Sequence, residues 1–95
     1  MVNNFTLAAL ETLLVIKFRP TFLALQYQSD YDTIEVVMSS AQFNYLSLND
    51  RVISVFNEIS KEMPTLMEET LIVVQPFNSV EIDQVLNDVF ESQIK

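Results

Sequence analysis

Residues 36 to 56 read Val-Val-Met-Ser-Ser-Ala-Gln-Phe-Asn-Tyr-Leu-Ser-Leu-Asn-Asp-Arg-Val-Ile-Ser-Val-Phe. The stretch passes from an apolar strand through a polar loop into an amphipathic helix. Just upstream, Thr33 to Met38 places Ile34, Val36 and Met38 on one face and Glu35 on the other, the period-two pattern of a strand. Ser29-Asp30-Tyr31-Asp32 is a short polar turn, and Phe22 to Gln28 before it is a second strand. So short a connection makes the pair an antiparallel hairpin. Further back, Leu7, Leu10, Leu13, Leu14 and Phe18 repeat near the helical period. Asn3 or Asn4 caps this helix, and Pro20 stops it.

Downstream, Asn49 caps a helix whose Val52, Val55, Phe56, Ile59 and Met63 follow the i, i+3, i+4, i+7 rule. Pro64 ends it or opens one further turn through Glu68. Leu71-Ile72-Val73-Val74 is wholly apolar and reads as a strand covered on both faces, closed by Pro76. Asn78 or Ser79 caps a last helix with the stripe Ile82, Val85, Leu86, Val89 and Phe90. Glu81 and Asp83 suit its start and Lys95 its end. The order is α-β-β-α-β-α, an α+β fold, read as one domain over residues 1–95.

Composition narrows the chemistry. An apolar fraction of 49% and ten aromatics supply one core and argue against disorder. No apolar run nears the roughly 20 residues a membrane span needs. Glu11 interrupts the apolar residues 5–16, and no basic segment precedes them, so no signal peptide is expected and the cytosol is the default location. Cys and His are absent, which removes disulfides, Cys nucleophiles, Cys/His zinc sites, imidazole catalysis and the usual iron–sulfur ligands. Gly is absent too, so no Gly-rich phosphate cradle exists. Turns must use other residues, and Asn44, Asn49, Asn57, Asn78 and Asp30 are candidates for caps or positive φ. Thirteen acids against five bases give a net charge of −8. The bases Lys17, Arg19, Arg51, Lys61 and Lys95 are scattered, which disfavours a nucleic-acid backbone as partner.

The element order resembles that of the BolA-like proteins, whose fold is similar to class II KH domains. Besides the opening stretch, residues 18–25 look like the family's passage from first helix to first strand. Residues 69–82 look like its third strand and last helix start, with Phe77, Glu81 and Ile82 at matching places. The resemblance implies a three-stranded mixed sheet with helices packed on it. It also implies a regulatory or accessory role and a monothiol glutaredoxin as a partner. The family opens the helix after the loop with Arg-His-Arg, where this chain has Arg51, Val52 and Ile53. The family's loop contains Gly, where Asn44 and Tyr45 stand here. The family His that ligates a bridging [2Fe–2S] cluster matches Thr70 or a neighbour, and the hairpin loop, seat of the second ligand, holds only Ser29 to Asp32. Hydroxyls and carboxylates are poor substitutes at such a soft site.

The expectation is therefore a non-enzymatic protein without cofactor or metal that acts through protein contacts. Its candidate partner-binding residues are Asn44, Tyr45, Asp50 and Arg51. Arg51 reads as a contact for phosphate or carboxylate, or as a surface pair with Asp50 or Glu58. Asp30, Asp32 and Glu35 read as turn chemistry before cation binding, and Ser39 and Ser40 have no base to activate them. Tyr31, Phe43 and Tyr45 form a patch if they are exposed together. A KH-like nucleic-acid binder and a homodimer paired through an edge strand at Phe22–Gln28 remain as alternatives.

Overall fold

A computed structural model describes the backbone of residues 2–94 and the side chains of residues 2–88. Its first element is α1 (Asn4–Phe18), started by Asn3, whose side chain accepts from the Thr6 amide at 2.9 Å. Leu10, Leu14 and Phe18 bury the inner face, with Leu7 and Leu13 partly covered beside them. The helix closes through Arg19 in the left-handed region, φ 45°, with its N–H on Val15 O. That conformation is the usual helix-ending one, but a side chain with Cβ adopts it at a cost of roughly 1 kcal/mol.

β1 (Phe22–Gln28) and β2 (Thr33–Ser39) form the expected antiparallel hairpin, with seven consecutive pairs from Phe22↔Ser39 to Gln28↔Thr33. Asp32 turns the chain at φ 47°. The positive-φ residues among those described are thus Arg19 and Asp32, not the asparagines or Asp30. β3 (Leu71–Phe77) runs parallel to β2, so the sheet is mixed, in the order β1-β2-β3. Ile34, Val36 and Met38 at its centre are fully buried.

Leu71–Val74 is not covered on both faces. β3 is an edge strand whose burial alternates: Ile72 is buried, while Leu71 and Val73 are exposed. Apolar composition alone does not count the layers around a strand. The buried row packs with α1 and α2, and on the other face Ala24, Gln26, Leu71 and Val73 are exposed.

α2 (Leu48–Glu62) carries the predicted stripe, with Val55 and Ile59 fully buried. Its cap is Ser47, whose Oγ accepts from the Asp50 amide at 3.2 Å, two residues before the expected Asn49. Of the two readings of Pro64 the second holds: it opens a short further helix, α3 (Pro64–Glu69), between α2 and the next strand. α4 (Ser79–Ile94) begins as read, and Ile82 is buried. Val85 and Leu86 are partly exposed, so the stripe seals only at its first turn. The side chains of Val89 and Phe90, and all of Lys95, lie outside the described residues. No helix among those described is long and apolar enough to cross a membrane.

Candidate functional site

The loop from β2 to α2 is built on Ser40, which is fully buried. Its N–H donates to Phe77 O, its Oγ donates to Phe18 O at 2.6 Å, and the same Oγ accepts from the Gln42 amide. One residue thereby ties the loop to α1 and β3. Ser39 is also buried, with its Oγ 3.1 Å from Thr21 Oγ1, so both serines are structural. A single 3₁₀ turn, Ala41–Phe43, then drops Phe43 into the core against Phe18, with ring centroids 5.6 Å apart. Asn44 follows at φ −60°, so the loop needs no left-handed residue and no glycine.

Anchoring Phe43 inward turns its neighbours outward. Asn44 and Asp50 are exposed, and Tyr45 is 96% exposed. Asp50 lies in the first turn of α2, where its charge suits the helix dipole. Leu48, also exposed, borders a groove of about 230 Å³ lined by Leu48, Val52, Val74, Gln75, Pro76 and Phe77. The sequence reading missed Leu48. The signal lay in its i, i+4 spacing to Val52, which carries the apolar stripe one turn beyond the core.

The aromatic patch does not form as grouped. Phe43 is fully buried, and Tyr31 sits at the hairpin turn, at the opposite end of β2 from Tyr45. Seven strand residues separate those ends by roughly 23 Å.

Arg51 is the second departure. It is buried, and its partner is neither Asp50 nor Glu58. Nε donates to Leu46 O at 3.0 Å, and Nη1 donates to Pro76 O at 3.3 Å and to Glu81 Oε1 at 2.6 Å. Adjacent residues on a helix do not face each other, which removes Asp50. Glu58 lies seven residues on, about 10 Å along the axis. Glu81 comes from the start of α4, where it forms a reciprocal cap with Asn78. The Asn78 side chain accepts from the Glu81 amide at 2.9 Å, and Glu81 accepts from the Asn78 amide at 3.0 Å. Arg51 therefore clamps the first turns of α2 and α4 and the end of β3 together, and its charge does not reach the surface.

The Asn78 amide, and after it the Arg51 guanidinium, hold the Glu81 carboxyl below its ordinary range. A carboxyl depressed in the folded state stabilises the fold above its unfolded value and ceases to as pH falls through the folded value. The stability gap between the parent and Glu81→Gln is expected to be open at pH 7 and to close below about pH 4. Thermal unfolding from neutral to acid pH checks it. A gap that widens on acidification would contradict the clamp.

At the other end of the sheet the structure joins the two places where the resemblance puts cluster ligands. The Leu71 amide donates to Asp32 O at 3.3 Å, so Thr70 stands beside the hairpin turn. Thr70 is buried and adjoins a cavity of about 370 Å³ bordered by Val2, Thr6, Leu66 and the exposed Glu69. Asp32 accepts a 2.6 Å bond from the Tyr27 hydroxyl, which raises the tyrosine's pKa. The donors at this end are hydroxyls and carboxylates, and they do not fit an iron–sulfur cluster. No group of three or more acidic, His or Cys residues suited to a metal ion occurs among the described residues.

No protein-family model matches the sequence, and no curated protein sequence matches it. Solved structures do match its shape. BolA1 from Arabidopsis thaliana superposes with a TM-score of 0.65 at 16% identity, over 84% of this chain and 98% of that one. A Bol-like protein from Babesia bovis gives 0.66 at 22% identity, over 88% and 93%. The BolA domain of SufE1 from Arabidopsis thaliana gives 0.68 at 13% identity, over 85% and 99%. The chain has the BolA-like α+β fold.

Proposed function

We propose that this chain is a BolA-like accessory or regulatory protein, non-enzymatic, that acts by protein–protein contact without ligating an iron–sulfur cluster. The observation that carries this reading is the surface around Asn44, Tyr45 and Asp50. There an exposed leucine, Leu48, borders an apolar groove, and a nearly fully exposed tyrosine stands three residues before it in the loop. Tyrosines are frequent interface anchors, and polar neighbours supply orientation. Arg51 supports the surface from within by fixing Leu46 O and the end of β3.

The basic residues do not converge in a way that favours nucleic acid. Lys17 pairs with Glu58 at 3.8 Å, Arg19 is exposed just past the end of α1, Arg51 is buried on Glu81, and Lys61 lies in the last turn of α2 at the far end from Arg51. Among the described residues that leaves no continuous basic track for a phosphate backbone.

A monothiol glutaredoxin is the partner to test first, in its apo and cluster-loaded forms. Calorimetric titration is expected to show binding that leaves the cluster spectrum unchanged. Tyr45→Ala is expected to weaken binding by about 30-fold, the loss of one hot-spot side chain. The variant's unfolding midpoint should not move, because the side chain touches little of its own fold. A changed cluster spectrum would overturn the absence of ligation. Undiminished binding by Tyr45→Ala would move the site elsewhere.

A further inference from the structure

The two edges of the sheet are unlike. β3 carries Pro76, which has no N–H to offer, and borders the groove beside Leu48. β1 has no proline, and its unbroken seven-pair register contains no bulge. Residues 21–29 include none of the chain's charged side chains. These are the devices by which natural edge strands avoid pairing, and β1 lacks all of them. β1 is an edge strand, paired in the sheet with β2 alone, and among the described residues β2 is the only element with which it packs extensively.

The side chains of β1 point to what would cover it. Leu23, Leu25 and Tyr27 face the core side, opposite Met38, Val36 and Ile34. The β2 residues are fully buried, whereas the β1 residues are only half-buried, because the sheet ends beside them. An antiparallel copy of β1, related by a two-fold axis at Leu25, would set Leu25 against Leu25 and Leu23 against Tyr27 on that side. On the other side it would set Ala24 against Gln26 and Phe22 against Gln28. Every core-side pair is apolar, and no pair joins like charges. A charge-free strip matters for a second copy in particular, since each chain carries −8.

We propose that β1 pairs antiparallel with β1 of a second copy about Leu25, giving a symmetric dimer with a continuous six-stranded sheet. The contact is isologous, so it closes at two copies. It lies on the edge opposite the Tyr45–Leu48 surface and leaves that surface open, so it does not depend on the partner proposed above. Seven residues per strand form a small interface, and association should be weak.

Ala24 and Gln26 are exposed, so charges placed there should leave the monomer fold intact, a point circular dichroism of each variant checks. In the proposed pairing they face each other. Ala24→Lys with Gln26→Lys puts lysine against lysine twice, whereas Ala24→Glu with Gln26→Lys puts glutamate against lysine twice. Gln26→Lys is common to both variants, so its position across from Glu35 within the chain affects both alike. Net charge predicts the reverse order, since the double-lysine variant is less negative than the parent and the mixed variant keeps −8. Sedimentation velocity from roughly 10 µM to 1 mM, a range suited to a weak interface, decides it. The expected result is a concentration-dependent dimer, about tenfold weaker in the double-lysine variant and at least as tight as wild type in the mixed one. A double-lysine variant that dimerises as well as wild type overturns the proposal. A wild-type monomer throughout overturns it too, and leaves the edge to an extended segment of another protein.

Discussion

Replacing Phe43 by alanine is expected to cost about 3–5 kcal/mol, the largest loss from any single substitution considered for this fold. The ring is fully buried and tilts against Phe18, so truncation removes its burial and leaves a cavity. The loop around it is held by Ser40, whose bonds to Phe18 O and Phe77 O restrict the collapse that would fill that space. Against a total stability of roughly 5–15 kcal/mol for a domain of this size, the variant is marginal at room temperature. Phe43→Leu keeps most of the volume and should cost no more than about 1.5 kcal/mol. Urea unfolding of both variants, with the slope checked against the parent, separates cavity from chemistry. A Phe43→Ala loss below about 1 kcal/mol would mean that the loop does not hang on this ring. Phe43→Leu also separates anchor from surface: because Tyr45 lies outside the core, this variant should bind a partner nearly as wild type does, whereas Tyr45→Ala should not.

The parts of this fold that were legible in the sequence are those governed by short-range periodicity. Ile34, Val36 and Met38 announce the buried face of β2 by alternation alone, and all three are fully buried. The hairpin turn was equally visible, and the caps of the first and last helices were visible to within a residue, as Asn3 or Asn4 and Asn78 or Ser79. The cap of α2, by contrast, fell on Ser47 and not Asn49. What the sequence hid is contact between distant segments. The Leu71–Val74 run reads as enclosed, yet Leu71 and Val73 face solvent, because among the described residues no second layer buries that side. Arg51 reads as a surface charge because its acidic neighbours in sequence are Asp50 and Glu58. Its true partner stands 30 residues away, across the end of β3. The candidate site divides on the same line. The exposure of Asn44, Tyr45 and Asp50 follows from the inward turn of Phe43, while the groove at Leu48 needs β3, which only the assembled sheet supplies.

Arg51→Ala is expected to lower stability by about 2–4 kcal/mol, with most of the loss falling on two carbonyls rather than on the ion pair. Removing the guanidinium strands Leu46 O and Pro76 O, and leaving a buried acceptor unmet costs about 1–3 kcal/mol each at full burial. Glu81 suffers less. Its side chain is 42% exposed and keeps the Asn78 amide, so water and the cap replace the lost cation. With screening by solvent, Glu81→Gln should cost no more than about 1 kcal/mol. A double-mutant cycle between the two positions should give a coupling well below the cost of Arg51→Ala itself. Arg51→Lys should fall between, since an ammonium cannot span three acceptors in the fixed directions of the guanidinium fork. Should Glu81→Gln cost as much as Arg51→Ala, the ion pair would dominate and the carbonyl argument would fail. The predicted order bears on function. In BolA-like proteins this position opens a basic triplet, and here Val52 and Ile53 stand in place of the rest of it. An arginine held by Leu46 O, Pro76 O and Glu81 is accounted for by joining α2, β3 and α4, with no need for a phosphate. Its loss should therefore disturb partner binding only as far as it loosens the loop that presents Tyr45.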